Sequence, residues 1–158
     1  MNNPVTGISD SSSNGYIPNS IFFDFENVFC GTDANLPHTM PNEDSFTENA
    51  QKLGIDNDSI IIIYDSKGIY CAPRVWWMFK SMGHQRIYIL NGGLPNWVAQ
   101  NMQRVPLLIS PHKLGNFKAK LHKNRFINAD AIFHNLTQIT LLDARSAGRF
   151  NGTQAEPR

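Results

Sequence analysis

The sequence predicts an α/β protein: a parallel sheet flanked by helices. Two short apolar runs, Ile60–Tyr64 and Arg86–Leu90, read as strands. The stretch between them and the stretch after them read as helices, with Pro near the start of each and Gly83 ending the first. Strand, helix, strand, helix with short connections implies βαβ units on one parallel sheet.

Taken in order, Ser20–Asp24 (SIFFD) reads as a short buried strand, followed by a long loop broken by Gly31, Pro37 and Pro41. In SFTENAQKLG, Ser45 can cap a helix and Glu48 can reach back to it, the pattern of a capping box. Phe46, Ala50 and Leu53 would form its apolar face, and Gly54 its stop. Ile60–Tyr64 is rich in β-branched residues, as a strand buried on both faces would be. Pro73 suits the first turn of the next helix, where its missing N–H costs nothing. That helix carries Val75, Trp76, Trp77, Met78 and Phe79 and should stop at Gly83. Asn91-Gly92-Gly93 then turns the chain, and Pro95 opens a helix around Trp97.

Beyond Asn101 the pattern dissolves. Pro106, Pro111 and Gly115 interrupt it, and Lys113, Lys118, Lys120 and Lys123 occur with no acid between Arg104 and Arg125. This stretch reads as a solvated connection between domains, and less readily as a docking strip for an acidic partner. Asn128 can cap a helix through Leu136, and Thr140–Asp143 (TLLD) reads as a new strand. The expected organisation is therefore an atypical N-terminus over 1–15, one domain over 16–102, a linker over 103–127 and the start of a second domain over 128–158.

With 158 residues there is room for one domain with a real core, and two would be marginal. A net charge of +1 argues against a chain that binds nucleic acid by electrostatics as a whole. The two cysteines, Cys30 and Cys71, have neither disulfide-framework nor zinc spacing, which fits a reducing compartment and implies no metal. No secretory or transit pattern and no membrane-length apolar run is visible, so the expected location is cytoplasmic, with mitochondrial the alternative.

In an open parallel sheet, ligands sit beyond the carboxyl ends of the strands. The loop after Tyr64 is at such an end. It carries one acid, Asp65, and one thiol, Cys71. A cysteine-phosphatase loop does not fit, because it needs five residues between cysteine and arginine, and Arg74 is too close to Cys71.

The motifs GYIPNSIFFDFE, LPHTMP, YDSKGIYCAPRVWWMF, GHQRIYILNGGLPNW and LDARSAGRFNGTQAEPR, in this order, resemble the two-domain rhodanese family, and most of all its 3-mercaptopyruvate sulfurtransferases. The resemblance implies a parallel sheet in each of two similar domains. It implies transfer of sulfane sulfur, from 3-mercaptopyruvate or thiosulfate, through a cysteine persulfide to a thiol or cyanide. It implies no cofactor. The partners would be a small sulfur donor and a thiol acceptor, with no nucleic acid or membrane.

Several residues acquire roles by the same resemblance. Asp65 takes the place of the nucleophile in the non-catalytic first domain, where it would order the loop. His38 and Glu26 would supply the His–acid part of a relay serving the active site, and Tyr70 would face the cleft between domains. Arg149 and Arg158 would hold the carboxylate and keto group of the substrate, a task suited to the planar guanidinium fork. From the residues alone, His38 reads as a loop histidine, Tyr70 as packing, and the two arginines as surface charges. Cys71 reads as a structural thiol, with a stand-in nucleophile as the alternative. The family's first strand should precede GYIPNS, and its Cys-Gly-Ser/Thr-Gly loop should follow Arg158. The expected fold is thus incomplete at both ends, and the chain inactive alone. A non-catalytic binding module that pairs with a separate chain is the competing expectation.

Overall fold

The structure is a computed structural model that describes residues 15–31 and 38–155. The chain divides into two compact units. Among the described residues, one runs to Lys123 and the other begins at Asn124.

The first unit is built around a parallel βαβ element. Strand β1 (Ile61–Ile63) pairs with β2 (Ile87–Ile89), Ile61 opposite Ile87 and Ile62 opposite Tyr88. Helix α2 (Ala72–Ser81) connects them and packs on both. Before β1 lies α1 (Glu43–Lys52), and after β2 comes α3 (Gly93–Ala99). Phe46, Phe79, Met78, Met82, Phe29 and Phe117 lie at the centre of the core, each at most 2% exposed. Their rings meet edge to face: Phe46–Phe79 centroids are 5.0 Å apart and Phe46–Phe29 centroids 5.2 Å, the geometry that aromatic quadrupoles favour.

Local signals explain most of these boundaries. Gly54 and Gly83, with φ of +71° and +91°, follow the ends of α1 and α2 as left-handed stops. Pro73 lies in the first turn of α2. Helix α1, however, starts earlier than its sequence suggests. Asn42, not Ser45, is the cap: its side-chain oxygen accepts the Ser45 N–H at 2.8 Å. Glu43 and Asp44 then fill the first turn, where the helix dipole favours acids. Glu48 pairs with Lys52 instead of reaching back.

Three strand expectations are corrected. Ser20–Asp24 forms no strand. Among the described residues, its one sheet-like bond is Ile109 N–H to the Ser20 carbonyl, and Phe23 turns inward to stack on Phe29 at 3.9 Å. The Ile60–Tyr64 strand is not buried on both faces: Ile62 and its neighbour Tyr88 are 63% and 57% exposed. Thr140–Asp143 is likewise no strand, and Leu142 is 89% exposed. A strand exists only through a ladder partner, and neither segment has one among the described residues.

The stretch read as solvated is in part core. Phe117 and Ala119 are buried and Leu121 packs against the same cluster, while Lys118, Lys120 and His122 point outward. Successive N–H groups along it are taken by α1, by the loop after α1 and by the end of α2. Ala119 N–H bonds Thr47 Oγ1, Leu121 N–H bonds Glu43 Oε1, and Lys120 N–H bonds the Met82 carbonyl.

His84, 3% exposed, is packed between Phe79 and Phe117, and its Nε2–H donates to the Ser59 carbonyl at 2.9 Å. Burial holds its pKa below 6.5; the bond to Ser59 works against this, and the charges of Lys80 and Arg86 add to it. The unfolded chain therefore binds a proton that the folded chain resists. Stability is full above pH 6.5 and falls as pH drops from 6.5 toward the lower folded value. Thermal unfolding measured from pH 7.5 to 5 should show this decline, and His84→Gln, which keeps a donor but cannot titrate, should flatten it.

In the second unit, Asn128 caps helix α4 (Ala129–His134) through the Ala131 N–H at 2.8 Å, as its sequence suggests. Helix α5 (Ala147–Phe150) follows. None of the described residues from Asn124 to Ala155 is buried.

Candidate functional site

The loop from Asp65 to Cys71 leaves the carboxyl end of β1 and runs into α2. Asp65 organises it. One carboxylate oxygen accepts the Lys67 N–H at 2.8 Å; the other accepts N–H groups of Tyr70, Cys71 and Ala72 at 2.7, 2.9 and 3.0 Å. Cys71 is the N-cap residue of α2 and makes no side-chain cap bond. Asp65 thus caps α2 from six residues away, where the helix dipole also favours a negative charge. Its main chain does the same for the next helix, since the Asp65 carbonyl accepts the Leu94 N–H at 3.0 Å. The close approach requires glycine at position 93, where φ is +52° and a Cβ would meet the Asp65 carbonyl at 2.7 Å.

Partial burial of Asp65 alone would raise its pKa. The four backbone donors outweigh that and hold it below its ordinary 3.8. The carboxylate is charged at neutral pH, and it occupies the donors that would otherwise face an incoming anion. Cys71 is half-buried beside the core, and neither it nor Cys30 is in a disulfide. Tyr70 is 49% exposed, with Lys67 Nζ 5.1 Å from its ring centroid.

His38 is exposed and has a left-handed backbone, φ +58°. Its ring centroid is 6.3 Å from that of Phe25, and its carbonyl accepts a bond from Arg74 Nη2. Glu26 is exposed next to Phe25, and its backbone N–H bonds Asp24 Oδ1 at 3.2 Å. Among the described residues, no bond joins the Glu26 carboxylate to His38. Asp24 is the ordering acid of that turn, taking the N–H groups of Glu26 and Asn27 and the Asn27 side-chain amide. Burial pushes its pKa up, and these bonds together bring it below the ordinary value.

Arg149 lies in α5 of the second unit, and Arg158 lies outside the described residues. In that unit Asp143 and Arg145 pair at 2.6 Å, and bonds from Arg145 lower the Asp143 pKa to about 2. The first unit thus brings two groupings into view: Asp65 with Tyr70 and Cys71, and His38 with Phe25 and Arg74. The place of Arg74 in the second grouping goes unread in the sequence. The available signal was an arginine in the first turn of the helix that follows the loop. Among the described residues, no cluster of His, Cys, Asp or Glu could hold a metal ion, and no helix is long and apolar enough to cross a membrane.

Comparison with known proteins agrees with this fold. A family model described as a rhodanese-like domain matches residues 9–100. The 3-mercaptopyruvate sulfurtransferase of Rattus norvegicus is 37% identical over 90% of this chain and 49% of its own length. That of Escherichia coli K12 is 35% identical over 92% of this chain and 52% of its own. The thiosulfate/3-mercaptopyruvate sulfurtransferase 1, mitochondrial, of Arabidopsis thaliana is 32% identical over 90% of this chain and 43% of its own. Among solved structures, SseA of Escherichia coli, a 3-mercaptopyruvate sulfotransferase of rhodanese fold, superposes with a TM-score of 0.81 at 30% identity. The match covers 93% of this chain and 56% of that one. The chain therefore spans about half the length of the curated relatives it matches. With a parallel βαβ core flanked by helices and a family match over more than half its residues, this chain belongs to the rhodanese-like family.

Proposed function

We propose that this chain supplies the non-catalytic domain, and the opening of the catalytic one, of a sulfurtransferase of the 3-mercaptopyruvate/thiosulfate type. The domains are read as 16–102 and from 128 onward, joined by 103–127. The observation that carries the reading is Asp65. It stands at the carboxyl end of a strand, where such a loop would hold a nucleophile, and its carboxylate fills the loop's own N–H donors. A carboxylate held charged by four donors does not attack sulfur.

In the proposed reaction, a cysteine thiolate outside this chain attacks the sulfur of 3-mercaptopyruvate. An S–S bond forms and the C–S bond breaks. The electron pair leaves on the pyruvate enolate, which must then take a proton at carbon. The persulfide sulfur passes to a thiol or to cyanide. His38, exposed at a turn, is the proposed proton-handling group, with Glu26 its acid. Arg149 and Arg158 are the proposed carboxylate and keto-group partners, and Tyr70 a cleft residue. No cofactor is called for. One relative is named as mitochondrial; for this chain the cytoplasm is the proposed location, with the mitochondrion as the alternative.

Incubated alone with 3-mercaptopyruvate and cyanide, the purified chain should yield no thiocyanate. Adding a polypeptide that carries the rest of the second domain should restore turnover. Turnover by the chain alone that Cys71→Ser abolishes would make Cys71 the catalyst and overturn the proposal.

One observation favours a second reading, pairing with a separate chain. Phe133, Leu142 and Phe150 of the second unit are 72%, 89% and 62% exposed, and burying such side chains is worth about 1.5–3 kcal/mol each. Co-purification of a second polypeptide from the native host would support that pairing, and isolation of the chain by itself would count against it.

A further inference from the structure

His38 holds a backbone conformation that residues with a Cβ seldom adopt, φ +58°. Such a conformation persists only where the surroundings impose it. Among the described residues, the next residue is tied by the Gly31 N–H to Thr39 carbonyl bond at 3.0 Å, and two side chains from different parts of the first unit meet His38 itself. Arg74 Nη2 donates to the His38 carbonyl. The Arg74 guanidinium carbon lies 5.8 Å from the Phe25 ring centroid, and Phe25 in turn faces the His38 ring at 6.3 Å. Phe25 is 8% exposed and belongs to the core cluster, so it is a fixed surface rather than a mobile one.

Arg74 is itself anchored. It sits in the first turn of α2, and its N–H bonds the Cys71 carbonyl at 3.1 Å. That is the turn whose leading N–H groups Asp65 takes. A single rigid element thus connects the Asp65 loop to the backbone of His38. We propose that Arg74 is the positioning residue for His38. It clamps the His38 carbonyl from one side while lying over the ring against which the imidazole rests. Arginine suits this task because one group can hold its charge near an aromatic face and donate from the end of its fork together. Lysine can donate but has a single charged point with which to reach both groups. The clamp itself is a matter of geometry; its use in catalysis rests on the proton-handling reading of His38.

The test uses the full chain, isotope-labelled for NMR, with His38 signals assigned by their loss in His38→Ala. In Arg74→Met, the His38 amide and ring resonances should move toward random-coil positions. Its backbone order parameter should fall into the flexible range, below about 0.6. His84, packed between Phe79 and Phe117, serves as the internal control and should keep its shifts. Arg74→Lys should recover part of the His38 order. Unchanged His38 signals in Arg74→Met, whatever happens to its melting temperature, would overturn the proposal. Should Arg74→Met not fold, the same reading is taken from Arg74→Lys, where fully native His38 shifts and order overturn it. None of this depends on turnover. A separate measurement, His38→Ala in the chain reconstituted with the missing half of the second domain, tests the proton role. Unchanged turnover there would remove that role and leave the clamp standing.

Discussion

Asp65→Ala should lower the unfolding free energy of the first unit by roughly 2–3 kcal/mol, a composite of a lost helix cap and lost bonds to a charged acceptor. The reason is the number of groups that depend on one carboxylate. Without it, the N–H groups of Tyr70, Cys71 and Ala72 at the start of α2 and that of Lys67 in the loop all lose their acceptor. Asp65→Asn keeps one oxygen and should cost about half as much. The pH dependence separates charge from geometry. The folded pKa lies below the ordinary 3.8, so the charge stabilises the fold fully above that value. The contribution is lost as pH falls through the folded pKa. The gap between the native chain and Asp65→Asn in chemical denaturation should therefore be wide at pH 7 and should narrow as pH falls below 3.8. A gap of equal width at both ends of that range would mean that the charge is not what the loop uses.

Phe117→Ala should be strongly damaging although the residue lies outside the named helices and strands, at about 3–5 kcal/mol. Phe117 is 2% exposed, with centroids 6.0 Å from both Phe46 and Phe79 and 5.6 Å from His84. Removing its ring opens a cavity against three aromatic neighbours. Lys118→Ala, one residue on and outward-facing, should change stability by less than about 0.5 kcal/mol. Urea denaturation of the two variants measures the contrast. Equal, small effects would show that the stretch is a loose connection after all.

The contrast between positions 117 and 118 shows where the sequence is hard to read. Phe117, Ala119 and Leu121 alternate with lysines and a histidine, a two-residue period that marks one covered face. Yet prolines and glycine break the run on one side, and no repeat of it occurs elsewhere to make the pattern stand out. Gly54, Gly83, Pro73 and Asn128 are legible because each acts through its own backbone or its nearest turn. Ser45 misleads for a related reason: Asn42 offers an equally good cap three residues earlier, and the acids between them decide for it through the helix dipole. Ser20–Asp24 has strand composition, but composition cannot supply a neighbour to pair with.

The site divides along the same line. Asp65 is legible as the acid of a loop at a strand's carboxyl end. The four donors it collects are not, because they depend on how the backbone curls between residues 67 and 72. The grouping of Arg74 with His38 is a contact across 36 residues, which no local pattern records.

The packing of residues 115–122 also bears on how the chain reaches its native state. The Ala119 N–H closes on Thr47 across 72 residues, and Gln51 Nε2 reaches the Phe117 carbonyl across 66. Contacts this distant in sequence must await a large loss of chain entropy before they return any free energy, which slows folding. On the ribosome, α1, β1 and α2 emerge well before their last aromatic partner. Until Phe117 clears the exit tunnel, Phe46 and Phe79 lack one wall of the core. The nascent chain therefore passes through an interval, from the synthesis of α2 to that of Phe117, in which its most apolar surfaces are best suited to a chaperone.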